Sequence, residues 1–143
     1  MTPASLMAEA EKARLHSYSP YSHFAVGAAL LTKSGKVIHG CNVESASYGL
    51  ACCAERTAVF KAISEGESEF VAIAVTAGKS VRGAAPCGAC RQVMHEFSPD
   101  LWVYYRDAKA KIVRRRLSAL LVDAFVWKGA AAATPRKRKG KKS

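Results

Sequence analysis

No stretch of this 143-residue chain approaches the roughly 18 consecutive apolar positions that a membrane-spanning helix needs, which excludes a helical membrane protein. The opening residues Met1-Thr2-Pro3-Ala4-Ser5 lack the basic segment and apolar run of a secretory leader, so the expected setting is soluble and cytoplasmic. Cysteine is sparse and odd in number: five, with Cys52 and Cys53 adjacent. Such a set suits a reducing compartment better than a disulfide framework. No internal repeat is visible, and the length accommodates one core and one domain.

Acidic residues are also few, 11 against 22 Lys and Arg, for a net charge of +11. The imbalance is uneven. The last eight residues, Arg136 to Ser143, hold six basic residues and no acidic one, and Arg114-Arg115-Arg116 adds three more. Without that tail the count is 16 basic against 11 acidic, a net of +5, which is ordinary for a small domain. The expected organisation is a catalytic domain over 1–128 and a basic tail over 129–143. The tail has the composition of a disordered segment, able to make weak, salt-dependent contact with nucleic acid or to act as a nuclear-localisation signal.

Hydrophobic periodicity predicts the elements between. Thr2-Pro3 reads as an N-cap and first helical position for a helix to about Leu15. Val26–Leu31 and Val37–His39 flank Lys33-Ser34-Gly35-Lys36 as a strand hairpin. A helix runs from about Cys53 to Glu65 and stops at Gly66, followed by a strand over Phe70–Val75. A second internal helix spans Gly88–Phe97 and a fourth strand Trp102–Tyr105. Beyond Arg106 the pattern weakens, with a fifth strand around Lys111–Val113 and a short helix or turn within Leu117–Phe125. Alternation of strands and helices predicts an α/β fold whose sheet is mostly parallel after the opening hairpin.

The chemistry is concentrated in Cys53-Ala54-Glu55 and, 34 residues after Cys53, Pro86-Cys87-Gly88-Ala89-Cys90. Three thiols and a carboxylate are the parts of a catalytic zinc site: three ligands, a fourth position for water and a base. Both cysteine groups start predicted helices, whose N-terminal N–H groups favour thiolates. Arg56 could add charge-assisted hydrogen bonds to the same sulfurs. Cys53 and Glu55 differ in direction by about 200° around a regular helix. Spacing alone therefore leaves open whether Glu55 reaches the metal or is an exposed first-turn glutamate. A closed structural zinc site needs a fourth protein ligand, but His16, His23, His39, His95, Cys41 and Cys52 do not stand at ligand spacing from Cys87 or Cys90. The two spare cysteines read as small core hydrophobes.

The Pro-Cys-x-x-Cys and Cys-x-Glu set is the signature of zinc-dependent nucleobase deaminases. The chain closely resembles their small homotetrameric cytidine deaminases. The match extends through Pro20-Tyr21-Ser22, Phe24 to Ala29, Cys41-Asn42-Val43-Glu44, Ala46 to Leu50, Cys53 to Ala58 and Pro86 to Gln92. The resemblance implies a three-layer α/β/α sandwich with a mixed sheet of about five strands, and one zinc ion per subunit held by Cys53, Cys87 and Cys90. It further implies that Glu55 shuttles protons and that Phe24 packs against the pyrimidine. Asn42 and Glu44 would bind the ribose hydroxyls, with Ala54 also at the substrate and Arg56 and Gln92 behind the site. Tyr48 and Phe125 match positions that reach into a neighbouring subunit's site.

The implied reaction is hydrolytic deamination of cytidine and deoxycytidine in pyrimidine salvage, with Glu55 carrying a proton to N3 and then toward the departing amine. Departures from the pattern exist. Ser45 replaces the usual Asn, Val122-Asp123 replaces an expected proline, and Asp107–Arg116 lacks the usual Gly-containing turn. Phe125-Val126-Trp127-Lys128-Gly129 is similar to the C-terminal end of blasticidin S deaminases. The alternatives are therefore a deaminase of a modified cytosine nucleoside such as blasticidin S, a polynucleotide cytosine deaminase, and a nonenzymatic basic adaptor.

Overall fold

In a computed structural model, described for residues 1–127, the first helix α1 spans Pro3–Arg14. Thr2 caps it: its hydroxyl accepts from Ser5 N at 3.1 Å while Ser5 Oγ accepts from Thr2 N at 2.9 Å. Reciprocal capping of this kind fixes where the helix starts and contributes about 1 kcal/mol. The hairpin follows as β1 (Gly27–Thr32) and β2 (Val37–Cys41). A 3-10 turn at Tyr48–Leu50 precedes α2 (Ala54–Ser64), and β3 (Phe70–Thr76), α3 (Gly88–Phe97) and β4 (Trp102–Arg106) come next. The described chain closes with β5 (Ile112–Arg116), α4 (Leu117–Leu120) and a turn toward Trp127.

The five strands form one sheet in the order β2-β1-β3-β4-β5. Only β3 and β4, the pair joined through α3, are parallel; β1 pairs antiparallel with both β2 and β3, and β4 with β5. The expectation of a mostly parallel sheet is thus corrected. A strand-helix-strand pattern dictates parallel pairing only if the two strands become neighbours, and β3, reached from β2 through α2, lies instead beside β1. The final hairpin turns without glycine: Ala110 adopts φ 61°, and Asp107 Oδ1 accepts from Lys109 N and Lys111 N.

One sheet face packs on α1 through Leu6, Met7, Ala10, Ala29, Ala72, Ala74 and Tyr104. The other packs on α2, α3 and α4 through Leu30, Val59, Ile73, Met94, Val103 and Leu117. Full burial of each large aliphatic side chain contributes about 1.5–3 kcal/mol. Two glycines set the spacing of these layers. A Cβ on Gly27 would lie 2.1 Å from Ala10 O of α1, and one on Gly40 would lie 2.4 Å from Ala54 O and 2.5 Å from Ala58 N of α2. Gly40 therefore lets the first turn of α2, just after Cys53, approach the sheet. No helix among the described residues is long and apolar enough to cross a membrane.

Candidate active site

Cys53 and Cys87 are the N-cap residues of α2 and α3, and neither thiol makes a capping hydrogen bond. Both residues are extended, Cys53 at φ −69°, ψ 154° and Cys87 at φ −66°, ψ 165°. That conformation resolves the directional difficulty in Cys53-Ala54-Glu55. Cys53 stands before the first helical residue, so the 100° step does not operate between it and Glu55, and both side chains reach one cleft. Cys90, in the first turn of α3, is fully buried behind them.

The three sulfurs lie within 4.8 Å of one another, with Cys53 Sγ 3.9 Å and Cys90 Sγ 3.5 Å from Cys87 Sγ. Zn–S bonds of about 2.3 Å put tetrahedral neighbours about 3.8 Å apart, so the donor set fits zinc. Arg56 Nη2 donates to Cys53 Sγ at 3.4 Å, while its buried Nε has no hydrogen-bond partner. Hydrogen bonds from Cys90 and Arg56 hold the Cys53 thiol down at about 5 against the effect of burial. The same contact with Cys53 pushes Cys90 upward, with burial and the Glu55 charge adding to it. Glu55 is itself buried, and desolvation, reinforced by the charge of Cys53, raises its carboxyl to about 7.

The cleft in front of the sulfurs has a volume of about 470 Å³. Phe24, Asn42, Glu44, Ala54 and Glu55 line it together with Val26, Val75 and the small residues Ala77, Ala84 and Ala85. Asn42 is already committed to the protein: its Oδ1 accepts from Val26 N at 2.8 Å and from the Ser17 hydroxyl, and its Nδ2 donates to Phe24 O at 2.8 Å. Glu44 Oε1 accepts from Tyr21 N and Ser22 N, both at 3.1 Å, and Oε2 accepts from the Ser22 hydroxyl. These bonds hold the Glu44 carboxyl below its usual range, the Ser22 hydroxyl contributing most. Ser22 Oγ in turn accepts from Phe24 N at 3.1 Å, and His23 between them adopts φ 55°.

Ser22 is thus a site residue that the sequence reading passed over, although it stands in the Pro20-Tyr21-Ser22 segment. It ties the Glu44 carboxylate to the loop presenting Phe24. Arg91 is another. Its Nε donates to Pro86 O at 2.8 Å and its Nη1 to Leu120 O at 2.7 Å, fixing the backbone before Cys87 to the end of α4. Its signal was adjacency: the residue after Cys90 in a first helical turn lies near the loop that precedes the helix. Gln92 Nε2 donates to Phe125 O at 3.0 Å, so it secures the C-terminal segment and does not touch the sulfurs. Tyr48 and Phe125 are 76% and 69% exposed and stand outside the main cleft. Tyr48 meets the Tyr21 ring edge-on at 5.8 Å and borders a smaller cleft of about 290 Å³ that shares Ser22 and Glu44 with the first.

Residues 2–106 match the family model described as the cytidine and deoxycytidylate deaminase zinc-binding region. The chain is 55% identical over 121 residues to the cytidine deaminase of Halalkalibacterium halodurans, covering 84% of this chain and 91% of that protein. The crystal structure of cytidine deaminase from Burkholderia pseudomallei superposes with a TM-score of 0.81 at 52% identity, over 87% of this chain and 100% of that one. A blasticidin-S deaminase of Bacillus cereus is more distant, 30% identical over 103 residues, or 67% of this chain and 73% of that protein. The chain belongs to the cytidine and deoxycytidylate deaminase family of zinc-dependent hydrolases.

Proposed function

We propose that the protein hydrolytically deaminates cytidine and deoxycytidine to uridine and deoxyuridine with release of ammonia. The observation that carries this reading is the meeting of a three-sulfur zinc cage, a buried carboxylate and a nucleoside-sized cleft at the N-termini of α2 and α3. Cys53, Cys87 and Cys90 hold the ion. Zinc in such a cage supplies the Lewis acidity that makes hydroxide available near neutral pH. Glu55 would take one proton from the attacking water and deliver it to N3 of the pyrimidine, then take the second from the hydroxyl added at C4 and deliver it to the leaving amine. Phe24 packs against the base, and the remaining Asn42 N–H and Glu44 lone pairs receive the ribose hydroxyls.

A nucleoside is favoured over a nucleotide by charge. Among the described residues no lysine or arginine lines either cleft, and Glu44 borders both, so a 5′-phosphate would meet a carboxylate and no cation from these walls. Five unpaired thiols suit the reducing cytoplasm, where the product would enter pyrimidine salvage. The direct test is kcat/KM for cytidine, deoxycytidine, deoxycytidylate, cytosine and blasticidin S. The two nucleosides should lead; a preference for deoxycytidylate or blasticidin S would replace this reading.

Glu44→Ala should lower kcat/KM for cytidine about 10²-fold or more, by removing a sugar contact and loosening the Phe24 loop together. Ser22→Ala separates the two effects, because it removes the loop tie and keeps the carboxylate. Equal kcat/KM for cytosine and cytidine in the wild-type enzyme would sink the sugar assignment.

A homotetramer with sites completed across subunits is the assembly we infer. Its support is the exposure of the large apolar side chains Tyr48, Leu50, Val122, Phe125, Val126 and Trp127 in the single chain. Light scattering should give four chains per particle, with activity lost on dissociation; a fully active monomer contradicts this. The basic tail lies outside the described residues, and a chain ending at Trp127 should keep both mass class and turnover.

A further inference from the structure

The excess positive charge of the described chain is localised. Residues 106–116 carry six basic side chains (Arg106, Lys109, Lys111, Arg114, Arg115 and Arg116) and one acidic residue, Asp107. The rest of 1–127 holds nine basic and ten acidic residues and is close to neutral. The Asp107 carboxylate is occupied by the turn's own N–H groups, and among the described residues no carboxylate forms an ion pair with Arg114, Arg115 or Arg116. These arginines are exposed on β5, the edge strand of the sheet.

Two of them are pre-arranged. Trp102 pairs with Arg116 across the β4–β5 ladder, and Tyr104 with Arg114, so all four side chains share one sheet face. The guanidinium carbons of Arg114 and Arg116 stand 3.5 and 3.7 Å from the centroid of the Trp102 ring. Stacking fixes the planar donor forks while leaving most of their N–H groups available; Arg116 spends one on Asp100 O at 2.6 Å. Beside them runs an open groove of about 400 Å³ whose walls combine Phe70, Val71, Pro99 and Trp102 with the polar Ser98, Asp100 and Arg116. Oriented guanidinium forks next to a groove with an aromatic wall match a phosphate chain that carries flat bases.

We propose that the β4–β5 hairpin is a binding surface for single-stranded nucleic acid, with Arg114 and Arg116 on the phosphates, the groove beside Trp102 receiving a base, and Arg115, on the opposite face of this edge strand, meeting the backbone where it passes the open edge. The surface is separate from the deamination cleft, with which it shares no lining residue. The binding is electrostatic and independent of sequence.

The test is the affinity of the full chain for a labelled oligouridylate, which contains no cytosine, measured over a range of salt concentrations. Substituting Arg114→Gln, Arg115→Gln and Arg116→Gln together should weaken binding about tenfold or more at low salt and make the log–log salt slope shallower by about 2. Neutralising Arg136, Lys137, Arg138 and Lys139 instead should leave that hairpin contribution in place. Should the triple variant unfold, Lys111→Gln with Arg115→Gln, which leaves the Trp102 stack intact, should make the slope shallower by about 1. Thermal unfolding and cytidine turnover report that fold and active site survive in each variant. Undiminished binding by the triple variant, binding lost only with the tail charges, no binding by wild type, or binding to phosphatidylserine vesicles and not to oligouridylate would each overturn the proposal.

Discussion

Glu55→Gln is expected to retain zinc, fold and nucleoside affinity and to lose turnover by about 10²–10⁴-fold or more. The amide matches the carboxylate in size, so the buried position in the first turn of α2 stays filled. It cannot accept a proton and return it. Glu55 is buried beside Cys53 and Cys90, where desolvation raises its carboxyl above the ordinary range. The measurement pairs zinc content with cytidine deamination on the same sample. A Glu55→Gln enzyme with a tenth of wild-type kcat would remove this residue from the proton-transfer role.

Cys87→Ala is expected to lose both zinc and activity. Cys87 is exposed at the cleft, so removing its sulfur costs little core packing and isolates the effect of the ligand. Two thiols cannot close the cage, and the stabilisation that the metal lends the N-termini of α2 and α3 goes with it, lowering Tm in metal-replete buffer. Cys52→Ala is the matched control. Its sulfur accepts a weak hydrogen bond from Thr57 at 3.7 Å and stands outside the three-sulfur group, so zinc content and turnover should remain. Equal zinc content in Cys87→Ala and wild type would require a different ligand set.

Much of this was readable in the order of the residues, for identifiable reasons. Thr2-Pro3, Gly66 and the Lys33-to-Lys36 turn act through local chemistry, and their elements lie within a residue or two of where the sequence puts them. The three cysteines were legible because metal ligation demands residue types that packing does not. The sheet's pairing was not legible, since whether β3 lies beside β1 or β2 depends on where α2 returns the chain, which no local pattern encodes. The fifth strand continues through Arg114-Arg115-Arg116, where Trp102 offers Arg114 and Arg116 a stacking partner on the neighbouring strand, a contact invisible to hydrophobic alternation. Ser22 and Arg91 escaped for a related reason: each acts on a segment distant in the chain, Ser22 on the Glu44 carboxylate and Arg91 on Leu120 O.

The same logic corrects the simple picture of Asn42 and Glu44 as side chains waiting for a sugar. Both are anchored by the Ser17–Val26 region before any ligand arrives, so the positions of their remaining donors and lone pairs are set in advance. Preorganisation of this kind lowers the ordering cost of binding. It also links the Glu44 carboxylate to the placement of Phe24 through Ser22.

Hydrolysis of cytidine should depend on zinc in the three-sulfur cage. Metal-free protein, prepared with a chelator under reducing conditions, should form no uridine. Adding zinc stepwise while following ammonia release should raise activity linearly to a plateau at one zinc per chain. Undiminished turnover in the metal-free protein, or a fully zinc-loaded protein that leaves cytidine intact, would contradict it.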